Sequence, residues 1–164
     1  VRNIIFTSVF TALAVLAAPA VAAPAGCWSR QYDAGHLKQN PAQVVEASWL
    51  NFIWQGSTLT ANLSVYTANQ GHVRGTNNAE QVLDQVLLCW QDEGRKNAWS
   101  CSVECDGGMM EITRMDGKVL EFRTNYLMVG DTDRCGGAVD LAEHPGQSVT
   151  YRLYRAPDGE CETN

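Results

Sequence analysis

Glu111-Ile112-Thr113-Arg114-Met115-Asp116-Gly117-Lys118-Val119-Leu120-Glu121-Phe122-Arg123 is the stretch from which the rest of the chain can be read. Two runs of strand-forming residues flank an Asp-Gly dipeptide, whose residue types suit the positive φ angles of a two-residue type I′ turn. This predicts an antiparallel hairpin. Just upstream, Cys101-Ser102-Val103-Glu104-Cys105-Asp106-Gly107-Gly108 gathers two cysteines, two acids and a glycine pair between alternating segments, so covalent chemistry, a turn and the strand pattern converge there.

The same pattern extends in both directions. Leu59, Ala61, Leu63 and Val65 alternate with Thr58, Thr60, Asn62 and Ser64, as in a strand wet on one face. Val44 to Trp54 precedes it across Gln55-Gly56, which predicts a first hairpin. Val149, Tyr151 and Leu153 alternate with Ser148, Thr150, Arg152 and Tyr154 to give a last strand before Pro157-Asp158-Gly159. Residues 78–90 fit two periods. Apolar positions 82, 83, 86, 87 and 90 have helical spacing, but a strand from Gln85 supplies the extended partner that the following cysteine hairpin needs. Leu37 to Val45 and Leu141 to Val149 share Leu, Pro, Gln and Val at matching offsets, each reading as a helical turn stopped before proline and followed by a strand.

Strands at short intervals in sequential hairpin order predict an all-β fold, a small antiparallel meander barrel of about eight strands, with a two-sheet β-sandwich as the alternative. It resembles the lipocalin-like class in architecture only.

Residues 1–25 read as a signal peptide. Arg2 precedes an apolar run from Ile4 to Leu16 and a small-residue region ending at Ala25, with cleavage expected after Ala22 or Ala25. Residues 26–164 read as one secreted β domain, periplasmic or further out. An initial Val where Met is usual fits a bacterial gene read from a non-AUG start codon. Ala25-Gly26-Cys27 also ends like a lipoprotein processing site, but Pro24 replaces the expected branched apolar residue, and lipidation would leave an odd thiol.

Six cysteines then read as a disulfide framework: Cys27, Cys89, Cys101, Cys105, Cys135 and Cys161. An extended Cys101 to Cys105 segment spans about 13 Å, beyond the roughly 7 Å limit for a bridge. Cys89 with Cys101 across a turn-rich segment, Cys105 with Cys135 and Cys27 with Cys161 satisfy the set.

With 12 Lys+Arg against 18 Asp+Glu, the net charge is -6, which suits neither nucleic acid nor anionic lipid. The cysteine pair lacks the Cys-x-x-Cys spacing of a redox dithiol, and no histidine lies within ligand spacing of it, so neither a metal nor a cofactor is expected. Asp131 to Ala142 begins like a calcium loop but has Cys135 at its fifth position and Ala142 at its twelfth. Glu104 and Asp106 read as solvated acids. His36, His72 and His144 are scattered, with no nucleophile beside them. No catalytic residue is expected.

Trp49, Trp54, Trp90 and Trp99 could line an apolar ligand cavity if the barrel is hollow. The expectation is an exported, non-enzymatic module that binds a small apolar ligand or a protein partner. The alternative is an inhibitor or accessory subunit that presents a rigid loop such as 69–78 or 91–97.

Overall fold

The computed structural model describes residues 23–94, 98–130 and 137–162. The expected signal segment up to Ala22, the calcium-like loop start at 131–136 and Cys135 lie outside the described residues.

Nine strands account for most of the described chain: β1 (Gly26–Gln31), β2 (Val45–Gln55), β3 (Thr58–Thr67), β4 (Val82–Asp92), β5 (Ala98–Ser102), β6 (Gly108–Met115), β7 (Val119–Val129), β8 (Val139–Asp140) and β9 (Val149–Arg155). One short helix, α1 (Ala34–Gln39), lies between β1 and β2. Strands β1 to β7 pair antiparallel in chain order, β7 pairs with β9, and β9 returns to β1. The result is a closed eight-stranded barrel, with the two-residue β8 added beside β7. A continuous ring of ladders excludes the two-sheet sandwich.

An eight-stranded barrel has an interior just wide enough for side chains to fill, and here they come from every wall. Trp28, Leu50, Leu63, Leu87, Met110, Phe122 and Leu153 are all buried in one core cluster. Strand β4 explains its own double periodicity. Leu83, Leu87 and Cys89 lie on the inward register while Val82, Val86, Leu88 and Trp90 stand exposed on the other face, so an extended segment imitates helical spacing.

Local chemistry sets the turns. The β2–β3 hairpin turns through Gly56, whose φ of +63° is costly for other residues. The β6–β7 hairpin forms as expected, but its turn is not type I′. Met115 pairs with Leu120, Asp116 N–H donates to Val119 O, and Gly117 is absent from the residues with positive φ. Instead, Asp116 Oδ1 accepts from the backbone N–H groups of Lys118 and Val119, both at 2.8 Å, so a side chain replaces left-handed backbone. In the cysteine-rich turn the left-handed residues are Cys105, Asp106 and Gly108. A Cβ on Gly108 would sit 2.0 Å from Tyr126 O, which only glycine avoids.

The two proline segments diverge. Before Pro41, α1 forms, capped by Asp33, whose Oδ1 accepts from His36 N–H at 2.8 Å. Before Pro145 there is no helix. Asp140 Oδ1 accepts from Leu127 and Ala142 N–H, and Leu141 N–H donates to Leu127 O, which ties that backbone to β7.

Two disulfides are formed as the spacing predicts. Cys89–Cys101 bridges β4 and β5 inside the core, and Cys27–Cys161 pins the chain after β9 to β1 with Cα atoms 5.8 Å apart. Cys105 is also disulfide-bonded; its expected partner Cys135 is outside the described residues.

Candidate functional site

The barrel closes unevenly. Strands β1 and β9 share only two residue pairs, Trp28 with Arg155 and Ser29 with Tyr154, before they part. Past that point β1 runs into α1 while β9 stays paired to β7, and a cleft of about 450 Å³ opens beside the seam. Its walls come from five stretches: Arg30 and Tyr32 of β1 and its end, His36 to Gln43, Glu121 of β7, Glu143, and the β9 residues from Val149 to Tyr154 other than Leu153.

Arg30 is the central group. Its guanidinium carbon lies 4.9 Å from the Tyr32 ring centroid and 5.0 Å from that of Tyr154, so two aromatic faces hold it. It forms no hydrogen bond or ion pair with any described residue, and its Nε is buried without a partner. Opposite it in register on β2, the Ser48 hydroxyl is also buried without a partner, in a residue only 2 % exposed. Buried donors left unmatched are costly and uncommon. A guanidinium with no acceptor among the described residues, held in a cleft, has the donor geometry that a carboxylate or phosphate matches.

The surrounding groups are better matched. Arg152 is neutralised by Glu121, which accepts from its Nε at 2.7 Å and lies 2.6 Å from its Nη2. Gln43 donates from Nε2 to Val45 O, which turns its Oε1 toward His36 Nε2 at 3.0 Å and requires that nitrogen to carry the proton. The His36 ring stacks on Tyr32 with centroids 4.6 Å apart. Burial pushes the Tyr32 phenol above its ordinary value, opposed by the Arg30 charge and reinforced by Glu143. Deeper in, burial pushes Tyr151 well above its ordinary value, and its hydroxyl donates to Leu141 O at 2.8 Å. Glu143, half-buried at the rim, accepts no hydrogen bond and forms no ion pair among the described residues.

The tryptophans singled out from the sequence do not share one cavity. Trp54 and Trp99 meet edge to face, 5.9 Å apart, at the barrel end that receives the N-terminal segment. There Trp54 Nε1 donates to Pro24 O at 3.0 Å, and Trp28 Nε1 donates to Ala25 O at 3.1 Å. Trp49 and Trp90 occupy outward registers on β2 and β4. Glu104 and Asp106 are exposed, as are His72 and His144. Among the described residues, no cluster of three or more His, Cys, Asp or Glu could hold a metal ion. No helix among them is long and apolar enough to cross a membrane. The 69–78 loop is tied down, with Gln70 Nε2 donating to both Asn40 O and Gln43 O.

Sequence reasoning passed over Arg30, Tyr32, Gln43 and Tyr154. One signal was available: Trp28, Arg30 and Tyr32 share a strand register, which places a charge in line with two buried rings.

The chain matches no family model, no curated protein and no solved structure among those compared with it.

Proposed function

We propose that this protein is an exported, non-enzymatic binding module whose ligand site is the β1–β9 cleft, and that its ligand is a small molecule bearing a carboxylate. The carrying observation is Arg30, fixed between Tyr32 and Tyr154 with no hydrogen-bond acceptor among the described residues. The cleft volume is of the size small ligands occupy. The filled barrel core moves support away from an apolar guest on the axis and toward a polar one at the seam. Export is supported by the disulfides, which persist in oxidising compartments. Titration calorimetry with 3-phenylpropionate tests this reading. Saturable binding is expected, weakened at least tenfold in Arg30→Gln at unchanged melting temperature. Absence of saturation by the unmodified protein overturns it.

A second reading, a protein partner, rests on the outer wall of β4. Val86, Leu88 and Trp90 are 59 %, 49 % and 40 % exposed there, and Leu88, Ser102, Met109 and Tyr126 form one lateral row across β4 to β7. Apolar rows facing water on an antiparallel sheet mark contact surfaces. A photo-crosslinker at position 88 is expected to give a discrete adduct with another exported protein, and one at Ser29 on β1 none; equal labelling from both removes this reading.

A further inference from the structure

The seam cleft holds two charges with no ion-pair partner among the described residues, and they are of opposite sign. Arg30 carries one and Glu143 the other, both lining the same cleft without pairing with each other or with any described residue. Both reach Tyr32, where their influences oppose: the Arg30 charge favours the ionised phenol and the Glu143 charge disfavours it. Arg152, the other cation of the lining, is already claimed by Glu121. Left-over charges of both signs beside one pocket are a costly arrangement for an empty site, because each forgoes its partner in a partly dehydrated setting.

From this juxtaposition we infer that the cleft selects a small zwitterion, with its carboxylate on the Arg30 guanidinium and its ammonium on the Glu143 carboxylate. Free α-amino acids are the simplest members of that class. The aromatic faces of Tyr32 and Tyr154 and the Val149 side chain offer room for an apolar side chain. Arg30 supplies planar, two-point recognition of a carboxylate, and Glu143 supplies the acceptor that a molecule without an amine leaves unused. His36, its Nε2–H fixed on Gln43, stacks on Tyr32 and holds that wall in place.

This inference rests on the carboxylate reading of the cleft and is separable from it. The protein is titrated with L-phenylalanine, with 3-phenylpropionate, which lacks the amine, and with phenethylamine, which lacks the carboxylate. Phenylalanine is expected to bind at least tenfold tighter than 3-phenylpropionate, and phenethylamine weakest of the three. Glu143→Gln is expected to weaken phenylalanine at least tenfold and so erase its preference over 3-phenylpropionate, which still binds once the like charge of Glu143 is gone. Glu143 is half-buried and has no hydrogen bond or ion pair to lose among the described residues, so this variant, like Arg30→Gln, is expected to keep its melting temperature. Equal affinity of the unmodified protein for the two carboxylates, with Arg30 still required, overturns the zwitterion and leaves the carboxylate site standing. A preference for phenylalanine that survives Glu143→Gln overturns the role of Glu143 and with it this inference.

Discussion

Strands β2 and β3 are joined by a ladder from Gln55–Thr58 to Val45–Thr67, interrupted by one bulge, whereas β1 and β9 are joined at two positions only. The first seam is local: Gly56 turns the chain, and each pair then follows from its neighbour. The second joins the two ends of the domain, and long-range pairing must bear the loop-closure entropy that a hairpin largely avoids. The barrel closes there with a minimum of backbone and completes the wall with side chains. Arg30 on β1 and Tyr154 on β9, either side of that short seam, are among the side chains that line the cleft. The seam that contributes least to the ladder therefore carries the most chemistry.

The largest expected effect tests what holds the short seam shut. Replacing Cys27 and Cys161 by serine opens a loop of sequence separation 134, which the loop-entropy model puts at about 5 kcal/mol. Denaturant midpoints, with hydrogen exchange on β1 and β9, should show the loss centred there. Replacing Cys89 and Cys101 by alanine opens a separation of only 12, worth about 3 kcal/mol in the same model. If the two removals cost the same, loop length is not what distinguishes the seams. Leu63→Ala, a truncation inside the long ladder at a residue 1 % exposed, is expected to cost about 3 kcal/mol. It should leave binding at the cleft intact, measured by calorimetry at a temperature where the variant is folded.

Smaller effects refine the contrast. Tyr32→Phe removes the buried phenol beside Arg30 and the Arg152 backbone, with an expected cost of about 1 kcal/mol in thermal unfolding. The smallest effect is electrostatic and lies away from the seam. Asp116 is lowered from 3.8 to about 2, first by the backbone N–H groups of Lys118 and Val119 and then by Arg114. A folded value below the unfolded one means that its contribution is complete above about pH 4 and disappears as the pH falls through about 2. Carboxyl chemical shifts recorded across that range should give the midpoint, and the β1–β9 amides should not follow it.

Much of the wall was legible in the sequence because it is local. The alternation of Leu59 to Val65 and the hairpin around Asp116-Gly117 depend on neighbours in the chain, and two of the expected cysteine pairings, Cys89 with Cys101 and Cys27 with Cys161, are formed. The exact turn was missed because the Asp116 carboxylate does what two left-handed residues were expected to do. The segment before Pro145 was misread as a helical turn because its constraint comes from β7, far away in the sequence. The cleft was illegible for the same reason. Its walls are drawn from residues 30–43, 121, 143 and 149–154, and they meet where β9 leaves β1 after two pairs. The tryptophans drew attention by size, yet Trp49 and Trp90 ended on the outside, since strand register decides which face a ring occupies.

Cys27 lies on the second position of β1, and Cys161 follows the short turn that ends β9. A pull on the two ends of the described domain therefore meets a covalent bond after a single ladder position, Gly26 with Phe52. Cys27 and Cys161 stand side by side on one short bridge, so tension applied through them passes along the rim of the barrel. The sheet itself, including the lightly paired seam, is spared the load.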